Sequence, residues 1–136
     1  MKKIDVIEIV NLLSRIKLNK ISNPETKRVL VADFLRLSRI AKEIEGDKSI
    51  LIEKFRADWG DEIREVQALR DAKKPVHGHD EYLNAELEAN GHLSKMMAEE
   101  ISVELQTIPV ADFVDAIQDE EMMLGNMMPL FGIILS

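Results

Sequence analysis

The feature that most constrains this chain is an apolar seam. Leu30, Phe34, Leu37, Ala41 and Ile44 recur in alternating steps of four and three, which places them along one stripe of a helix shaped to pack against another helix. The same step continues to Lys48, Leu51 and Phe55, so the seam crosses Gly46-Asp47 with a single polar position. Upstream, Asn23-Pro24-Glu25 is a strong helix start: Asn23 accepts a hydrogen bond from a first-turn N–H, Pro24 gives up no needed donor, and Glu25 suits the dipole. One long helix from Pro24 to about Phe55 is predicted. Its alternative is a break at Gly46, where glycine costs about 1 kcal/mol relative to alanine inside a helix.

The rest of the chain supplies further helices. Asp5 and Glu8 have capping-box spacing, and Val6, Ile9, Val10, Leu13 and Ile16 then recur at helical intervals, which predicts a helix over residues 6–19. Trp59-Gly60-Asp61 reads as a turn or kink, with Asp61 capping a helix that runs to about Lys73. After a loop over residues 74–80, Asp80 starts a helix with Tyr82, Leu83 and Leu87, which either ends at Asn90-Gly91 or continues through it. Ile101, Val103 and Leu105 alternate with polar residues, the period of a strand with one buried face. Its natural partner is the extended segment 2–4, since a lone strand leaves backbone groups unpaired. Pro109 opens a last helix with Phe113, Val114 and Ile117.

The expected fold is therefore mainly α: a long antiparallel helical hairpin or bundle with a short two-stranded β element joining the N-terminus to residues 101–106. A chain of 136 residues fits one domain, 1–136, and its 46% apolar content is enough for a core. Asp5 and Glu8 interrupt what would otherwise resemble a signal peptide, and the apolar segment 122–135 contains Gly125, Asn126, Pro129 and Gly132, too broken to span a bilayer. The expectation is a soluble, cytoplasmic protein that does not associate with membranes. The absence of cysteine rules out disulfides and thiolate chemistry. The net charge of −7 hides a gradient, with residues 1–56 at +5 and residues 57–136 at −12. Arg36, Arg39 and Lys42 are thus expected near acidic residues from 80–121.

Searching for chemistry gives mostly exclusions. There is no Gly-rich phosphate loop, nucleophile elbow or HExxH pair, and few rings for stacking bases. His77-Gly78-His79-Asp80 is the only ligand-like group: His77, His79 and Asp80 offer imidazole and carboxylate donors for a divalent metal, against the ordinary reading of a solvated loop. Arg28, Arg36, Arg39 and Lys42 could track phosphates in a nucleic-acid regulator, against the overall acidity and the acids interleaved with them. Glu99-Glu100 and Asp119-Glu120-Glu121 lack any partner group for acid–base work. The Met-rich end either folds back as core or docks on a partner, with Met122, Met123, Met127, Met128, Phe131 and Ile134 as the contact residues.

The run Ile4-Asp5-Val6-Ile7-Glu8-Ile9-Val10-Asn11-Leu12-Leu13, the Asn23-Pro24 start of a long heptad-like helix ending near Glu53-Lys54-Phe55, and Glu100-Ile101-Ser102-Val103-Glu104-Leu105 before a C-terminal helix resemble small uncharacterised proteins encoded by tailed phages and prophages. The likeness is one of pattern and order across most of the chain. It implies a phage accessory protein acting through protein contacts, with no catalytic residues and no cofactor to carry over. The leading expectation is a non-enzymatic assembly protein that binds a protein partner or itself as a homo-oligomer. A nucleic-acid regulator and a metal enzyme at the His77/His79 loop are the alternatives.

Overall fold

The computed structural model describes residues 1–117, 128–130 and 132–136, and it is mainly helical. Four α-helices occur among the described residues: α1 (Lys3–Leu13), α2 (Pro24–Asp71), α3 (Asp80–Ala98) and α4 (Val110–Ile117), with 3₁₀ turns at Leu18–Lys20 and over residues 128–130. The chain divides into two compact units, residues 1–43 with 100–136, and residues 44–99. No helix among the described residues is long and apolar enough to cross a membrane.

Local chemistry sets the helix ends. Asn23 Oδ1 accepts from the N–H groups of Glu25 and Thr26, as the sequence predicts. Helix α1 begins three residues earlier than expected, because Asp5 acts from the third helical position, its carboxylate accepting from the Lys2 N–H at 2.8 Å. It also stops at Leu13 rather than near residue 19. Helix α2 passes through Gly46 and does not end at Phe55; at Trp59 the backbone leaves helical geometry (φ −128°, ψ 24°), then helix resumes to Asp71. Of the expected turn or kink at Trp59-Gly60-Asp61, the structure has the kink, inside one helix. Its far end closes in a Schellman arrangement, with Lys73 at φ 55° and Lys74 N–H on the Leu69 carbonyl.

In the first unit, Val6, Ile9, Leu30, Leu37, Ile108, Phe113, Leu130, Ile134 and Leu135 are fully or almost fully buried. The expected two-stranded β element is absent. Lys2 and Glu100 form one isolated antiparallel bridge, and no strand occurs among the described residues. The reason is twofold: Lys3 already belongs to α1, so the partner strand has no length, and α2 side chains take over the backbone pairing of the extended segment. Asp33 Oδ1 accepts from Gln106 N–H at 3.1 Å, and Arg36 donates to the Glu104 carbonyl at 3.0 Å. The alternation survives as alternating burial: Ile101, Val103 and Leu105 are part-buried while Ser102 and Glu104 are exposed. After α4, the end of the chain returns beside Ile108, where Ile108 N–H donates to Ile134 and Ser136 N–H donates to Ile108.

In the second unit, the α2 segment 44–71 and α3 meet through ring contacts. Phe55 and Trp59 lie 5.8 and 6.0 Å from the Tyr82 ring. Leu51, Phe55 and Ala89 line two grooves that run between these helices. Helix α3 continues through Asn90-Gly91.

Candidate functional site

The second unit collects the unusual side chains. Tyr82 is buried between Phe55 and Trp59, and its hydroxyl donates to Glu86 at 2.7 Å. Glu86 in turn accepts two bonds from Arg70, at 2.9 and 3.1 Å, the fork geometry that suits guanidinium and carboxylate. The Arg70 guanidinium and then the Tyr82 hydroxyl hold the Glu86 carboxyl below its ordinary range. Burial, and after it the hydrogen bond to Glu86, pushes the Tyr82 phenol up to about 12. Around this network the surface stays open: one groove of about 360 Å³ is lined by Leu51, Phe55, Trp59 and Ala89, with Lys54 and Asp58 on the α2 edge and Glu88 and His92 on the α3 edge. A second, of about 160 Å³, lies between Phe55, Ile63, Tyr82 and Leu93.

A group of metal-ligating type lies in the same unit. His79, at the N-cap of α3, is 15% exposed; its Nδ1 is 2.5 Å from Glu62 Oε2 and its Nε2 is 3.8 Å from Glu65 Oε2. One donor atom from each of the three residues lies within 4.8 Å of the others. Gly78, at φ 77°, makes the turn that delivers His79. His77 and Asp80 are not in this group, so the loop supplies one of the three expected donors and α2 supplies two that sequence reasoning did not select. The available signal was the i,i+3 spacing of Glu62 and Glu65, which puts both carboxylates on one helix face.

The remaining candidates are dispersed. Ile134 is fully buried within the chain, and Met128 is exposed. Met122, Met123, Met127 and Phe131 lie outside the described residues. Arg28 pairs with Glu25 one turn earlier, and Arg36 reaches the 80–121 stretch through the Glu104 backbone carbonyl rather than a carboxylate. One further buried group stands out: Asp33, wholly buried, has no hydrogen-bond partner for Oδ2 among the described residues. Burial pushes its pKa above the ordinary carboxylate range, against the Gln106 hydrogen bond and the Arg36 charge.

No family model, curated protein or solved structure matches this chain.

Proposed function

We propose that the protein is a non-enzymatic assembly protein that works through protein contacts, and that residues 44–99 pair with the same residues of a second copy. The observation that carries this reading is an under-filled core. Among the described residues of this unit only Ile44, Val66 and Tyr82 are buried apolar side chains, while Ile50, Leu51 and Leu87 are 65%, 40% and 73% exposed. Units of this size bury too small a fraction of their surface to be comfortable alone, and a further helical layer is the simplest completion.

The rim chemistry favours a second copy over an unrelated partner. Lys54 and Asp58 on one edge, and Glu88 and His92 on the other, put an acid and a base one turn apart on each helix. A two-fold axis sets residue i of one chain against residue j of the other and the reverse, so edges carrying both signs are self-complementary. The phage-accessory context implied by the sequence resemblance remains part of this proposal, and the comparisons with known proteins add no support to it.

Sedimentation equilibrium over a wide concentration range tests the reading. A reversible dimer is expected, and Leu51→Asp, in the groove, should shift it to monomer without loss of helical circular dichroism. Wild-type protein that stays monomeric at every concentration refutes it. Nucleic-acid binding has less behind it, because Arg28 and Arg36 are already engaged within the chain.

A further inference from the structure

We propose that Glu62, Glu65 and His79 form a binding site for a divalent first-row transition ion of the zinc class, which ties the start of α3 to the second segment of α2. This inference is independent of whether residues 44–99 pair with a second copy.

The geometry carries it. Both nitrogens of the His79 ring face carboxylate oxygens, Nδ1 towards Glu62 and Nε2 towards Glu65. A neutral imidazole has one N–H, so in that form one carboxylate oxygen faces a ring lone pair, two acceptors in apposition. An ion bound to the ring nitrogen that carries no hydrogen removes the conflict on that edge, the other nitrogen keeps its N–H towards a carboxylate, and the ion's charge offsets that of the two glutamates, which repel each other across one helical turn. Zinc–nitrogen and zinc–oxygen bonds are about 2.0–2.2 Å, so two ligands on one ion stand at most about 4.3 Å apart. The three donor atoms already lie within 4.8 Å of one another, a gap closed by small side-chain rotations. Glu62 and Glu65 are 40% and 63% exposed, so they are free to make that adjustment and leave the remaining coordination positions to water.

One imidazole with two carboxylates suits zinc and its neighbours; magnesium and calcium prefer all-oxygen shells with more ligands. Because two donors precede the loop and the third follows it, a bound ion closes the segment between residues 62 and 79. Binding only the folded unit, it stabilises that unit by mass action.

Calorimetric titration of the full chain with Zn²⁺ decides the matter, alongside its thermal unfolding with and without the ion. One ion per chain and a raised melting temperature are expected, with no comparable response to Mg²⁺ or Ca²⁺. Glu65→Gln, at an exposed position that does not threaten folding, should weaken binding by roughly 10–100-fold, the range already seen when mere outer-shell partners are lost. Glu62→Gln and His79→Ala should act likewise, while His77→Ala and His92→Ala leave the affinity unchanged. No saturable binding, or binding that survives Glu65→Gln and Glu62→Gln, overturns the site and leaves His79 as an ion-pair partner only.

Discussion

The two units of this chain solve the same packing problem with very different means. Residues 1–43 and 100–136 surround Phe113, Leu30, Leu37 and Ile134 with short helices, an extended segment and the returning chain end, so apolar side chains approach from several directions. Residues 44–99 have the second part of α2 and α3 as their helices, and apart from Ile44, Val66 and Tyr82 their large apolar side chains are part-covered or exposed. Polar contacts compensate in part: Arg70 with Glu86, Tyr82 with Glu86, and His79 with Glu62. The lesson is that an amphipathic stripe is as buried as its surroundings allow. The seam of α2 is buried at Leu30, Leu37, Ala41 and Ile44, yet the same periodicity yields an exposed Leu51 and a part-buried Phe55 further along.

The contrast is broken most directly by truncating one ring in each unit. Phe113→Ala should cost about 3–5 kcal/mol in chemical denaturation, as for a fully enclosed phenylalanine. Phe55→Ala should cost only about 1 kcal/mol, because its ring is part-covered. Equal losses would mean that the second unit has a true core.

Tyr82→Phe probes the polar compensation. Losing the hydroxyl leaves the ring packing in place and removes one bond to Glu86, an expected loss of about 1 kcal/mol. Hydrogen exchange should show it in α3 amides and leave α1 unaffected.

Gly46 and Gly91 lie inside helices, and a Cβ at either would meet nothing within 4 Å. Gly46→Ala and Gly91→Ala should each stabilise by about 0.5–1 kcal/mol, measured by thermal unfolding. Such gains would show that the second unit is limited by local helix propensity as well as by burial.

The smallest expected effects are in the pH dependence, where the units should differ in sign. Asp33 has a raised pKa in the folded chain, so the folded state keeps its proton where the unfolded state has released it. Its contribution therefore falls as pH rises from the ordinary value of 3.8 through the folded one. Glu86 is lowered, so the stability it contributes is present above its ordinary value of 4.5 and is lost as pH falls through the folded one. Urea midpoints of Asp33→Asn and wild type should diverge in favour of the variant as pH rises from 3.8 through the folded value. A constant difference across that range would assign the effect of Asp33 to packing alone.

Much of the helical layout was legible because its causes are local. The Asn23-Pro24 start, the seam through Gly46, the distortion at Trp59 and the start of α3 at Asp80 all follow from capping, propensity and periodicity within a few residues. The strand prediction failed for a non-local reason. Alternation at Ile101, Val103 and Leu105 reports one covered face, but Asp33 and Arg36 of α2 take the place of a strand's backbone there, bonding residues 106 and 104. Asp33 is unremarkable in sequence, and Arg36 drew notice only for its charge; both are separated from residues 104 and 106 by about seventy positions. The candidate site was half legible: His79 stood out in its loop, while Glu62 and Glu65 were two acids among many until the turn at Gly78 brought the imidazole onto them.

The sequence by itself determined the starts of α2 and α3, the distortion at Trp59, and that one long helix carries an apolar stripe, because capping and 3.6-residue periodicity act over neighbouring residues. Only the tertiary structure decided which part of that stripe is enclosed, that Ile134 is interior, and that a histidine after the loop meets two glutamates before it. Burial and convergence depend on elements distant in the chain, and no spacing within a single helix encodes them.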